Sequence, residues 1–421
     1  MQLNPDWLEQ QGVDCALLKA VDGACNDLPQ RIGVAVSGGG DSVALLHLLA
    51  TWSEQTGRAI EAVTVDHGLR ADSRAEAEGV AMLCQSLGVN HSILNWERED
   101  GAGNLSAAAR DGRYALMAQW AQALDVSAIV LGHTLDDSAE NFVMRLGRAS
   151  GLDGLSEMAR VFERYGMKWA RPFAGCARGD LREYLRRYGV SWVEDPSNDD
   201  PAYLRSRVRA VLPALAELGV SAPSIQASAA ALRASRDALA HYVRKEAAEH
   251  VRQEGGDLLI AQNIGAHVPC DVVRRITLAA LQWVGGGAYA PRRSFTGVLS
   301  DDLGAQERLT VGGCLIMRRK GAYRITREYD AVKGLVSAGD ALWDKRWRLN
   351  GPQEAGLEVR ALGESVNIVP GWRETGVPRP TLMASPAVWR GDLLVAAPLV
   401  GYNDGWSAQI VADFTSFLDS H

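Results

Sequence analysis

The 421-residue sequence predicts an α/β fold: a doubly wound parallel sheet, then a helical domain and a small β-rich C-terminal domain. Three observations carry this expectation. From residue 31 to 146, short Val/Ile-rich runs alternate with longer helical stretches, the pattern of strands buried on both faces by crossover helices. From 216 a long alanine-rich stretch suggests a separate helical module. Beyond 331 the chain becomes rich in Gly, Pro and Trp, with short apolar runs. The expected boundaries are 1–215, 216–330 and 331–421.

The elements follow in order. Residues 32–36 (IGVAV) read as a buried strand and 42–50 as a helix. Residues 60–65 (IEAVTV) form a second strand and 73–87 a second helix. A third strand is expected at 92–96, an alanine-rich helix at 105–124, a fourth strand at 128–131 (AIVL) and a helix at 137–146. Then come a basic helix over 176–188, a polar turn-rich loop over 193–201 (VEDPSNDDP), and an arginine-rich helix over 202–212. Pro213 should stop that helix, because it has no N–H to donate. A long helix over 223–252 and a strand–turn–strand unit over 309–325 complete the reading.

Composition removes several classes. With 47% apolar and 23% charged residues the chain is globular rather than disordered or collagen-like. No run of 18 apolar residues exists, so no membrane partner is expected. The polar, acidic start MQLNPDWLEQQGVD does not resemble a secretory signal. Six scattered cysteines without a C-x-x-C pair argue against a zinc ribbon, redox dithiol or disulfide scaffold, and fit reduced thiols in a cytoplasmic protein. The net charge of −7 is uneven: residues 1–140 hold 8 basic and 20 acidic residues, and 141–215 hold 13 basic and 9 acidic. Local field governs the steering of a polyanion, so a basic middle segment is compatible with nucleic acid. Nothing in the sequence signals an oligomeric state.

Two segments carry chemistry. Ser37-Gly38-Gly39-Gly40-Asp41-Ser42 joins the first strand to the following helix. Glycines permit a tight turn and close ligand approach, helix-start N–H groups bind anions, and two serines add hydroxyl donors. Asp41 repels phosphate directly, so its expected task is to hold Mg²⁺ against one. The second segment, GHTLDDSAEN over 132–141, follows the fourth strand. In open parallel sheets, ligands sit beyond the carboxyl ends of strands, so it should face the same crevice. Asp137 and Glu140 fall at i, i+3 on one helix face, with Arg145 and Arg148 on an adjacent stripe. His133 with Asp136 and Asp137 could form a metal site, but no third strong ligand stands nearby. First-turn acids also stabilise a helix dipole without further function.

SGGGDS after the first strand resembles the loop of the PP-loop (N-type) ATP pyrophosphatases, Rossmann-like enzymes that cleave ATP between the α- and β-phosphates. Further segments narrow the match: TVDHGLR (64–70), NLSAAARDGRY (104–114), MRLGRASGLDGL (144–155) and WVEDPSNDDPAYLRSRVR (192–209). In this order they resemble the tRNA(Ile)-lysidine synthetase family, in detail over 30–215 and by domain layout beyond. The resemblance implies that ATP adenylates C2–O of the wobble cytidine in a CAU-anticodon tRNA(Ile). The amine of free L-lysine then displaces AMP, giving lysidine and moving codon reading from AUG to AUA.

It also implies residue roles. Ser37, Gly38, Gly39, Gly40, Asp41, Ser42, Val65, Arg70 and His133 would contact ATP, with Mg²⁺ on Asp41. Asp41, Asp137, Glu140 and Arg145 would serve catalysis, the acids Asp137 and Glu140 binding the lysine ammonium. Arg148, Arg205, Arg207 and Arg209 would meet tRNA. The last three alternate along a helix, so at least one should point elsewhere. Segment 216–330 would bind tRNA and 331–421 would help recognise it. Ser138, Asn141, Ala149 and Ser206 depart from the family's usual Gln, Thr, Gly and Asn, and bear on the lysine pocket more than on ATP. The competing readings are a PP-loop tRNA thiolase, which needs a reactive cysteine, and a non-catalytic ATP- or RNA-binding module.

Overall fold

The computed structural model describes residues 12–66, 68, 73–96, 105–156, 158–194, 200–287, 307–319, 321–352 and 354–420. Arg70 and residues 195–199 lie outside the described residues. Two compact units divide the chain, 1–236 and 237–421.

The first unit is built on a six-stranded sheet. Its strands are β1 (Arg31–Ala35), β2 (Ala59–Asp66), β3 (Asn90–Asn95), β4 (Ala128–Leu131), β5 (Val161–Arg164) and β6 (Met167–Ala170), in the order β3-β2-β1-β4-β6-β5. All neighbours are parallel except the β5–β6 hairpin. The helices of this unit's α/β core are α1 (Val13–Cys25), α2 (Gly40–Thr56), α3 (Ser73–Ser86), α4 (Leu105–Ala123), α5 (Leu135–Leu146), the short α6 (Leu152–Leu155) and α7 (Arg178–Arg187), α1 preceding the first strand and α7 following the last. Successive side chains of a strand point to opposite faces, and both faces are covered. Ile32, Val34, Ala128 and Val130 join α1, α2 and α7 residues in one core. Val63, Ile129 and Leu131 join Tyr114, Met117 and Trp120 of α4 in the other. That double burial is why these strands read as continuous apolar runs. Gly33 is part of the fit: a Cβ there would stand 3.0 Å from the Trp120 ring.

Three features depart from expectation. Helix α1 was hidden in an acidic start, although Leu17, Leu18, Val21 and Cys25 form a buried helical stripe. The β5–β6 hairpin turns through Tyr165 and Gly166, both with positive φ, the requirement of a type I′ turn. Pro213 does not stop its helix: α8 runs Leu204–Glu217 with Pro213 inside, giving up one bond to the Arg209 carbonyl. Helix α9 (Ala222–His250) then follows.

Residues 216–330, expected as a helical domain, hold five strands as well as helices. These are β7 (Val251–Glu254), β8 (Asp257–Ala261), β9 (Arg308–Val311), β10 (Cys314–Arg319) and β11 (Ala322–Arg327), an antiparallel sheet in the order β7-β8-β11-β10-β9. The helix Cys270–Gly285 lays Ile276, Leu281 and Val284 on Leu258, Ile260, Ile316 and Ile325 of that sheet. An antiparallel sheet with one helix-covered face forms a core of its own. Beyond 331 the structure is β-rich as expected, with one four-stranded and one two-stranded sheet. Among the described residues, no single helix is long and apolar enough to cross a membrane.

The turn that follows α5 places Ala149 at φ +53, in the left-handed region. For an L-residue with a Cβ this conformation costs about 1–2 kcal/mol. Ala149→Gly should therefore stabilise the first unit by up to about 1 kcal/mol after the unfolded-state entropy of glycine is counted. Urea unfolding checks this, and a loss of stability contradicts it.

Candidate active site

The topology of the sheet reverses between β1 and β4, where α/β folds open a crevice. SGGGDS leaves β1 and GHTLDD leaves β4 at that point. Gly38 turns the chain at φ +86, and Gly39 caps α2. The two segments touch: a Cβ on Gly132 would lie 3.0 Å from the Asp41 carbonyl oxygen. Ser42 accepts from the Ser37 N–H at 3.1 Å and donates to the Gly39 carbonyl at 2.9 Å. Its hydroxyl therefore shapes the turn, and the N–H groups of Gly40 and Asp41, ahead of the first intrahelical bonds of α2, are suited to an anion. A strap from later in the chain backs the turn. Val193 donates to the Gly38 carbonyl at 2.9 Å and pairs with Gly39, while Trp192 lies against Gly40, 3.3 Å from where a Cβ would be.

The carboxylates meet on one guanidinium, that of Arg178. Its Nε donates to Asp41 Oδ2 at 3.1 Å, Nη1 to Glu140 Oε1 at 3.0 Å and Nη2 to Asp137 Oδ1 at 3.0 Å. The Arg178 backbone N–H donates to Asp136 Oδ2 at 2.7 Å, which caps α7. Asp137 Oδ2 accepts from both the N–H and the hydroxyl of Thr134, completing a capping box on α5. Glu140 is fully buried: its oxygens accept from Arg178 and Arg209, and Arg205 Nε lies 3.4 Å from Oε2. Burial holds the Asp41 carboxyl above its ordinary range, outweighing Arg178, and Asp137 adds like-charge repulsion. For Asp137 burial pushes upward, but Arg178 and the Thr134 N–H together hold it below the ordinary range. Burial opposes the charge on Arg178, yet Asp137, Glu140 and Asp41 keep it firmly protonated.

A second group of cations, Arg110, Arg113, Arg145 and Arg171, has no carboxylate partner among the described residues. Burial lowers the Arg113 guanidinium, Tyr114 opposes it in part, and Arg110 and Arg205 add smaller repulsions. Burial likewise lowers Arg171, near Tyr114, Arg110 and Arg145. His133 is pushed down to about 3 by burial and then by Arg171, so its imidazole is neutral at pH 7. Arg171 Nε lies 3.4 Å from His133 Nδ1, leaving the proton to Nε2. Mutually repelling cations beside a glycine turn at a helix start favour a negatively charged ligand.

The structure thus gathers Asp41, Asp137, Glu140, Arg205 and Arg209. Arg205 and Arg209, four apart on α8, face Glu140, whereas Arg207 is exposed on the other side, as the alternation implied. Arg145 is exposed and donates to the Gly154 carbonyl at 2.7 Å instead of joining the carboxylates; Arg148 is exposed. Val65 stands two residues past Val63, the last partner of β1. Asn141 holds Arg205 at 3.1 Å, and with Ser138 it lines a small cleft beside Phe142, Met158 and Ile225. Burial holds the thiols of Cys84, at about 11, and Cys176 above their ordinary range, the reverse of a reactive thiolate. Arg178 and Trp192 were missed as site residues. The available signal for Arg178 was a cation at the first position of a helix, where the dipole disfavours it unless acids surround it.

Asp41 suits Mg²⁺, which takes one or two carboxylates together with substrate phosphate oxygens. Its side chain is about a quarter exposed beside the phosphate turn, and Arg178 engages only Oδ2 among the described residues.

Comparison with known proteins agrees with this geometry. Residues 16–215 match the model of a PP-loop domain. The chain is 42% identical over 397 residues to the tRNA(Ile)-lysidine synthase of Ruegeria pomeroyi, covering 93% of this chain and 95% of that one. It is 30% identical to the tRNA(Ile)-lysidine synthase of Wolbachia pipientis wMel, covering 89% of each. With that of Hyphomonas neptunium it shares 36% over 72% of this chain and 84% of the relative. This chain belongs to the tRNA(Ile)-lysidine synthase family.

Proposed function

We propose that this chain joins free L-lysine to C2 of the wobble cytidine of a CAU-anticodon tRNA(Ile), using ATP and releasing pyrophosphate and AMP. The observation that carries the reading is the meeting of the SGGGDS turn with the Gly132–Glu140 segment at the switch point of the sheet, in a chain with these relatives. A thiolase reading is disfavoured by the protonated thiols. Its need for tRNA, ATP and lysine, together with its free thiols, supports a cytoplasmic reading.

In the first step the C2 oxygen of cytosine attacks the α-phosphorus, and pyrophosphate leaves. The turn amides and the cations Arg110, Arg113, Arg145 and Arg171 meet the charge that develops. Neutral His133 offers one donor toward the nucleotide. Val65, at the open end of β2, presents backbone groups to adenine. Mg²⁺, held by Asp41, would supply further phosphate neutralisation.

In the second step the lysine amine attacks C2, AMP leaves and the amine proton must be accepted. Lysine has a reference pKa of about 10.4, so freeing the amine at pH 7 costs about 4–5 kcal/mol. Asp137 and Glu140 are the acids proposed to receive the ammonium. Both are already saturated, so the ammonium enters by taking the place of a guanidinium. Arg148, exposed just past α5, and Arg207, exposed on α8, serve as tRNA phosphate contacts, and residues 237–421 take part in reading the rest of the tRNA.

The deciding experiment is incorporation of labelled lysine into a CAU-anticodon transcript. Incorporation should require ATP, and its absence contradicts the assignment. Asp41→Ala should abolish pyrophosphate release while leaving the fold intact by circular dichroism; unchanged release refutes the metal role. Glu140→Gln should raise the lysine KM and also lower stability, by up to about 3 kcal/mol, because the half-buried Arg178 and Arg209 lose the countercharge of the buried Glu140. An unaltered KM with lowered stability would reduce Glu140 to an anchor.

A further inference from the structure

The charges around Arg178 close on themselves. Asp41, Asp137 and Glu140 face Arg178, Arg205 and Arg209, three carboxylates against three guanidinium groups. Asp137 spends its other oxygen on Thr134, and Glu140 spends its own on Arg205 and Arg209. Asp41 is the member that turns toward the phosphate turn, and the cation at its Oδ2 belongs to the protein.

We propose that Arg178 is the resident counter-cation of these carboxylates, and that it keeps a free divalent ion off Asp41 until a nucleotide brings negative charge of its own. In the nucleotide-free protein a divalent ion would gain one carboxylate oxygen that Arg178 does not hold. It would also meet a guanidinium 3.1 Å from the other oxygen of the same group. Mg²⁺ gives up its water reluctantly, so such a site does not repay dehydration. A polyphosphate seated on the α2 N-terminus reverses the balance: the crevice becomes negative, and the ion is shared between phosphate oxygens and Asp41. Arg178 thereby makes the ion enter with the nucleotide. It acts through Asp41 and is a positioning residue, not a catalytic one. The inference rests on the reading of Asp41 as the metal-side carboxylate.

Free Mn²⁺, followed by its EPR signal, tests this without turnover. In the absence of nucleotide, Arg178→Gln should bind Mn²⁺ at least about tenfold more tightly than the unaltered chain, because a unit charge beside the ligand oxygen is gone. Arg178→Lys keeps the charge but cannot reach three carboxylates, so its affinity should fall between the two. A purely architectural role would weaken Mn²⁺ binding in both variants. Equal affinity in Arg178→Gln and the unaltered chain overturns the proposal. Should Arg178→Gln fail to fold, an Arg178→Lys affinity equal to that of the unaltered chain overturns it. A non-hydrolysable ATP analogue separates the two readings. Analogue-dependent Mn²⁺ uptake by the unaltered chain, without the Arg178→Gln gain, overturns this inference alone. No uptake overturns the reading of Asp41 and this inference with it.

Discussion

Buried charge must be paired, and at the mouth of this crevice the pairing centres on one guanidinium. Arg178 stands at the start of α7, where the helix dipole is least hospitable to a cation. Its three nitrogens reach Asp41 on α2 and Asp137 and Glu140 on α5. Three separate helices are thereby brought to one point above the sheet. The arrangement is demanding, because removing any one partner leaves an unbalanced charge in a poorly solvated place. Its return is geometric: the phosphate turn and the acidic segment are held in register by the same contact.

The remaining cations obey the opposite logic. Burial lowers Arg113, Arg145 and Arg171, and the neighbouring Arg110 lowers each of them further. A protein tolerates such repulsion where a polyanion is due to arrive. A balanced carboxylate cluster beside an unbalanced arginine cluster fits an enzyme that must receive both a triphosphate and an RNA. The chain as a whole is acidic, which shows how little net charge says about local field.

The parallel strands were legible because burial on both faces turns them into uninterrupted apolar runs. AIVL at β4 coincides with the strand itself. The hairpin strands were not, because VFER and VRQE mix charge with short apolar pieces and borrow their order from neighbours. Pro213 misled because tertiary packing can carry a helix past one missing bond. The phosphate turn and the acids after β4 stood out because their chemistry is local in sequence. Arg178 did not, since its partners lie 38 to 137 residues away, and nothing in CARGDLREY announces them. The saturation of Glu140 was invisible for the same reason: spacing places a carboxylate on a face, but not the guanidinium groups that come to meet it.

The strap behind the phosphate turn has a consequence for how the site comes into being. Gly38 and Gly39 take their outer support from Val193, and Gly40 from Trp192, some 150 residues downstream. During synthesis β1 and α2 emerge early and can collapse together, yet the turn between them stays without its outer wall until the ribosome has passed Trp192. Nucleotide affinity is therefore a late-acquired property of the nascent chain, and a fragment ending before that residue would own the sheet without a set cradle.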